Sequence, residues 1–162
     1  MRDDLGVFSL NQAITVSAAS NYAGTGAGSA GAGVLDCGLL VASFGGSGGF
    51  GQNGIFGGSP IRFILNVSVG QIFAGPADAT LQVYLQDSAD NSSWANTNLG
   101  TQVALTLSTL QIPGQTLLNG DLPGIGGSTN PPVGLRQFLR IWYAVTGGPF
   151  TGGTVNADLD VM

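Results

Sequence analysis

Apolar and polar residues alternate with a period of two along much of this chain, which is the pattern of strands with one buried face. In residues 61–69, Ile61, Phe63, Leu65, Val67 and Val69 fall on one face and Arg62, Asn66 and Ser68 on the other, with Ile64 the exception. Residues 79–87 set Leu81, Val83 and Leu85 against Thr80, Gln82, Tyr84 and Gln86, and a polar turn over 87–93 follows. Residues 12–19 place Ile14, Val16 and Ala18 opposite Thr15 and Ser17, while 101–108 repeat the alternation with Val103, Leu105 and Leu107. The apolar piece 34–44 predicts a further strand. At the end of the chain, residues 135–161 read as two strands joined by a Gly/Pro-rich turn at 147–153. The first arm alternates Leu135, Leu139, Ile141, Tyr143 and Val145, broken only by Gln137, with Arg136, Phe138, Arg140, Trp142, Ala144 and Thr146. The second alternates Val155, Ala157, Leu159 and Val161 with Thr154, Asn156, Asp158 and Asp160. Together they predict a closing β-hairpin in which antiparallel pairing sets Arg140 opposite Asp158 or Asp160. No helical period with caps is present, one short turn at 108–111 aside, and 117–134 reads as a long connection.

About seven or eight such strands predict an all-β chain of two sheets packed face to face. Long connections suit Greek-key or jelly-roll winding over a meander, and periodicity leaves jelly roll and immunoglobulin-like winding both open. The predicted core is Ile14, Val16, Phe63, Leu65, Val67, Leu81, Val83, Leu85, Val103, Leu105, Leu107, Leu139, Ile141 and Tyr143. A chain of 162 residues suits a single domain over 1–162, with Gly-rich arms at 23–33 and 45–58.

Composition changes this picture in one respect. Charged types make up only 8% of the residues, there is no Lys, Glu or His, and 28 residues are Gly. A soluble monomer normally relies on a mixed charged surface, so this chain is expected to cover part of itself as a homo-oligomer, dimer or trimer. A net charge of −5 with only Arg2, Arg62, Arg136 and Arg140 as cations gives no footprint for nucleic acid or an anionic membrane, and neither is expected as a partner. The acidic start MRDDLGVFSL lacks a signal-peptide pattern, so the expected place is a cytoplasm or a particle assembled there.

Without His, Lys or Glu the usual catalytic bases shrink to Asp, and Asp78, Asp87, Asp90 and Asp121 stand in turn-like contexts that favour Asp for its local hydrogen bonds. The chain is not expected to be an enzyme, and no cofactor or metal is expected. The string GAGSAG at 26–31 matches a dinucleotide fingerprint but neither follows a buried strand nor opens a helix. The run 87–92 lacks the spacing and Glu of a calcium loop, and Cys37 reads as a small core hydrophobe. What remains is the face of Arg136, Phe138, Arg140 and Trp142. Arg and Trp are enriched at the centres of protein interfaces, so this is either a docking surface or a face covered by the chain's own glycine arms. Phe50, Ile55 and Phe56, set among glycines that build no local core, are further interface candidates, as are Arg2 and Phe8 near the N-terminus. A carbohydrate- or receptor-binding sandwich is the alternative, with Trp94, Trp142 or Tyr143 as an exposed stacking platform.

The order of FSLNQAITVSAAS, a short LDCG, the stretch ATLQVYLQDSADNSSW and the closing LPG…LRQFLRIWYAVTGG…GGTVNADL resembles the capsid cement, or decoration, proteins of tailed bacteriophages, the Bordetella-phage type in particular. The likeness spans most of the chain, is strongest over 134–159 and is weakest in the glycine tracts. It implies a jelly-roll subunit that oligomerises on the outer surface of an icosahedral head, bridging copies of the major capsid protein. It implies no catalytic residues.

Overall fold

The computed structural model describes residues 7–14, 21–24, 33–36, 55–56, 59–60, 63–101, 103–122 and 135–161, with residues 21–23, 55–56, 59–60, 63 and 161 described by backbone alone. Along these segments the strands are β1 (Val7–Ala13), β2 (Asn21–Ala23), β3 (Val34–Asp36), β4 (Ile55–Phe56), β5 (Ser59–Pro60), β6 (Phe63–Ala74), β7 (Thr80–Ser88), β8 (Ala95–Gly100), β9 (Leu105–Thr106), β10 (Thr116–Asp121), β11 (Phe138–Thr146) and β12 (Gly152–Val161). One helical turn, α1 (Leu107–Leu110), follows β9, overlapping the expected turn at 108–111.

Two antiparallel sheets form the sandwich. The first has the order β1-β12-β6-β10. The second has the order β2-β11-β7-β8, with β3 continuing the β2 edge along β11 and β9 continuing the β8 edge along β7. Followed in chain order, β1, β6, β10 and β12 lie in the first sheet, and β2 with β3, β7, β8 with β9, and β11 lie in the second. That is the winding of a jelly roll, two Greek keys whose strands alternate between sheets. A two-residue ladder of β4 with β5 stands apart from both sheets.

Alternation explains why these segments pair as they do. Leu81, Val83 and Leu85 of β7 are fully buried, as are Leu139, Ile141 and Tyr143 of β11, and the two strands pair without a break from Phe138↔Ser88 to Thr146↔Thr80. Leu65, Val67, Val155 and Ala157 face them from the first sheet. Burying each such side chain contributes roughly 1.5–3 kcal/mol, and the register is fixed because a one-residue slip would turn every one of them to water. A buried polar link joins the layers: the Tyr143 hydroxyl donates to Ser9 Oγ at 2.9 Å and Ser9 Oγ donates to Gln12 Oε1 at 2.7 Å. Burial raises the Tyr143 pKa.

The predicted closing hairpin is not formed. β11 is paired on both edges within the second sheet, by β7 and by β2 and β3, while β12 is paired on both edges within the first, by β6 and β1. The connection is an arch between layers. Phe150, in the middle of it, is 1% exposed and packs edge-on against Phe73 at 4.8 Å between centroids, closing the end of the sandwich. Gly147, at φ 77°, starts the arch where an added Cβ would lie 1.9 Å from the Asp78 carbonyl oxygen. Arg140 therefore stands opposite Gln86 and Val34, not opposite Asp158 or Asp160. The last two pair with Asn66 and Ile64 on the far side of the molecule.

Other differences concern strand ends. The N-terminal strand covers Val7–Ala13, with a bulge at Asn11, at φ 47°, that breaks its alternation, and residues 15–19 of the expected strand over 12–19 lie outside the described residues. In place of one strand over 101–108 there are the short β9 and α1, with β8 ending just before at Gly100. Thr101 occupies the ladder beside Val83, accepting its N–H through Oγ1 and donating its own N–H to its carbonyl. The chain then loops out before Leu105 returns opposite Leu81. Val103 lies on that excursion and is 69% exposed, so it leaves the predicted core, and Leu105 and Leu107 pack only partly buried against it. Val16, Cys37 and Arg62 lie outside the described residues, and Phe63 is described by backbone alone. The first glycine arm leaves a continuous sheet edge: Gly24 donates to the Ile141 carbonyl, and a Cβ on Gly33, at φ 68°, would lie 1.7 Å from the Gly24 carbonyl oxygen, so only glycine closes this neck.

Candidate functional site

The outward face of the second sheet is built from cross-strand rows. Arg140 on β11 stands opposite Gln86 on β7, which stands opposite Asn96 on β8. Hydrogen bonds follow the row: Arg140 Nε donates to Gln86 Oε1 at 2.8 Å and Gln86 Nε2 donates to Asn96 Oδ1 at 2.8 Å. In the next row Trp142 stands opposite Tyr84, and Tyr84 opposite Gly100, which packs so closely that an added Cβ would lie 2.8 Å from the Val83 carbonyl oxygen. Two residues apart on one strand, Trp142 and Arg140 share a face, and the guanidinium carbon lies 4.4 Å from the Trp142 ring centroid. Trp94 comes over from the β7–β8 turn, 4.2 Å from the same carbon. Such contacts contribute about 0.5–1 kcal/mol each when exposed and more when desolvated. Partial burial lowers the Arg140 pKa, but guanidinium stays charged at any ordinary pH. Trp94, Trp142, Arg140, Phe138 and Tyr84 are all half-buried.

The turn that presents Trp94 is itself fixed. Asp90 accepts hydrogen bonds from the backbone N–H groups of Ser92 and Ser93, and from the Ser88 hydroxyl, which hold its pKa well below the usual carboxylate range. Asn91 takes the left-handed conformation, φ 56°, that closes the turn.

Of the residues singled out in sequence, Phe138, Arg140 and Trp142 share this face. Arg136 sits just before β11, where its backbone N–H donates to Asp87 Oδ2 at 3.0 Å and its Nε lies 4.0 Å from Asp87 Oδ1, a long pair worth little. Phe8 is a correction: it is 1% exposed and belongs to the subunit core, where β1 turns it inward, so it offers no docking surface. Tyr143 is another, since its fully buried ring cannot be a stacking platform. Ile55 and Phe56 lie on the small β4–β5 ladder with backbone alone described, and Arg2 and Phe50 lie outside the described residues. Sequence reasoning weighed Trp94 only as a sugar platform and did not join it or Gln86 to the arginine; the alternation of β7 gave the face of Gln86, but nothing in the polar stretch 89–96 marked Trp94 as its neighbour.

The outward face of the first sheet differs. Asn66 Nδ2 donates to Asp160 Oδ2 at 2.6 Å, Asn119 Nδ2 donates to Asn66 Oδ1, and Asn156 Oδ1 accepts the Asn11 N–H at 2.7 Å. Among the described residues no group of three or more His, Cys, Asp or Glu side chains is placed to hold a metal ion.

Comparison with known sequences places residues 47–159 in the family described as Bbp16. No curated protein matches the chain.

Proposed function

Because this chain belongs to the Bbp16 family, whose name points to a Bordetella-phage protein and is compatible with a structural component of the virion, we propose that it is a capsid cement protein. In this reading it binds the outer surface of an icosahedral head as a dimer or trimer, touches the major capsid protein, and performs no catalysis. Nucleic acid and membrane are not its partners, and it uses no cofactor. The family match carries the proposal, since it runs from the β4 region to the end of the last core residues of β12. A jelly-roll subunit with an arginine and several aromatics on one outer face supports it.

Cement works by mass action. Each bound subunit lowers the free energy of the intact shell relative to ruptured states by its interface energy, and many copies multiply that term. The alternative of a glycan platform is less well supported, because the Arg140 guanidinium already lies against both indole rings. The test is co-sedimentation of purified protein with heads lacking it. A fixed ratio to the shell subunit is expected, and failure to bind heads would overturn the proposal. Replacing Phe50, Ile55 and Phe56 together by Ser is expected to leave melting unchanged and to reduce occupancy on heads.

A further inference from the structure

We propose that the Trp94–Arg140–Trp142 cluster is a carboxylate-binding site, and that its occupant is an Asp or Glu side chain on a loop of the shell subunit. This rests on the cement reading and specifies the contact that reading requires.

The guanidinium has five N–H donors in a planar fork. Nε is used by Gln86, and the π-facing surface is engaged by two indoles at 4.2 and 4.4 Å. No side chain among the described residues is hydrogen-bonded to the two Nη groups, which form the edge of the fork that matches a carboxylate in bidentate geometry. The row Arg140–Gln86–Asn96 and the two rings hold that edge in one orientation before any partner arrives, which lowers the entropy cost of binding. Flanking indoles also exclude water, and a charge-assisted hydrogen bond is stronger where water is excluded.

Three observations decide the kind of occupant. Asp36 stands at the neighbouring outward position of β3, opposite Phe138, and the whole chain carries −5, so a polyanion such as a nucleic acid strand would be repelled far more than one carboxylate. The aromatic surroundings, Phe138, Trp142, Trp94 and Tyr84, suit a protein surface with apolar neighbours around its acid. The outer face of the first sheet on a second copy of this chain is a poor donor, because its carboxylates already have partners: Asp160 accepts from Asn66, and Asp121 and Asp158 are engaged as well.

The experiment measures binding of purified protein to heads lacking it, at increasing sodium chloride, for wild type, Arg140→Lys, Gln86→Glu and, as a control on the opposite face, Asp160→Asn. Arg140→Lys keeps the charge but loses the fork, and binding is expected to weaken roughly ten- to hundredfold. Gln86→Glu places a carboxylate beside Arg140 within the subunit, so it is expected to keep or raise the melting temperature while weakening binding by a similar factor. Asp160→Asn should bind as wild type does. If wild type binds and both Arg140→Lys and Gln86→Glu bind equally well, the site is not the docking contact and this inference falls alone. If Arg140→Lys lowers the melting temperature and leaves binding intact, the cluster serves only the subunit, and the inference falls. Displacement of wild type by a free acidic sugar, with no protection by an acidic shell peptide, would make it a glycan site and overturn the proposal. If wild type does not bind heads at all, the cement reading itself fails and takes this one with it.

Discussion

The two outer faces of the sandwich are made by the same alternation from strands of the same kind, yet they present opposite chemistry to solvent. On the first sheet, Asn66, Asn119, Asn156 and Asp160 satisfy one another or the backbone, and an acid there is held by an amide. On the second, a cation is held by two indoles and one amide, with no side chain among the described residues bonded to its two Nη groups. A polar face whose groups are mutually satisfied gains little from a partner, since any new hydrogen bond replaces an existing one. A half-buried aromatic face with an oriented, incompletely paired cation gains from both apolar burial and charge pairing. Strand pairing causes this segregation. Had β11 and β12 formed one hairpin, Arg140 and Asp158 or Asp160 would have neutralised each other on one surface. The arch sends them to opposite sides.

The largest expected effects lie in what both faces share. Leu85→Ala, beneath the second sheet, should cost roughly 2–5 kcal/mol in urea unfolding because it leaves a cavity under fully buried neighbours. Tyr143→Phe should cost roughly 1–3 kcal/mol by removing the hydroxyl that satisfies buried Ser9. Because burial raises the Tyr143 pKa, its contribution is present below the unfolded value of about 10 and is lost as pH rises through the folded value, so the wild type should lose alkaline stability more steeply than Tyr143→Phe. Asp90 gives the opposite sign at the acidic end. Its depressed pKa means that its contribution is present above an unfolded value of about 3.9 and fades as pH falls, so Asp90→Asn should flatten the acid limb of the urea midpoint curve. Smallest are the faces themselves. Asn66→Ala and Arg140→Lys should each shift stability by no more than about 1 kcal/mol, and an effect several times larger at either would break the contrast drawn between them.

Much of this fold is legible in the chain because central strands must bury one face completely. Leu81, Val83 and Leu85 against Gln82, Tyr84 and Gln86 fixed both the strand and its direction of facing, and Leu139, Ile141 and Tyr143 did the same for β11. Edge strands carry less information. β8, of sequence ANTNLG, is exposed or half-buried throughout, and β10 contains Gly120, so neither shows the alternation that would reveal it. The arch was hidden for another reason: a glycine-rich turn between two alternating arms looks the same whether the arms pair or part. Phe150 in that turn was the available signal, because a hairpin tip would leave it in water, whereas an arch can drop it between the sheets. The site was legible in part. Phe138, Arg140 and Trp142 follow from strand period alone, but Trp94 reaches them through a turn geometry that no local pattern encodes.

Hydrogen exchange with mass spectrometry, on the protein free and bound to heads, compares the two faces in one measurement. Slowed exchange on binding is expected along the second sheet, at 94–96 and at 136–142, with no change at 64–68 or 156–160. Protection confined to the first sheet, or none on either face, would contradict the claim that the arginine and tryptophan face is the one that docks.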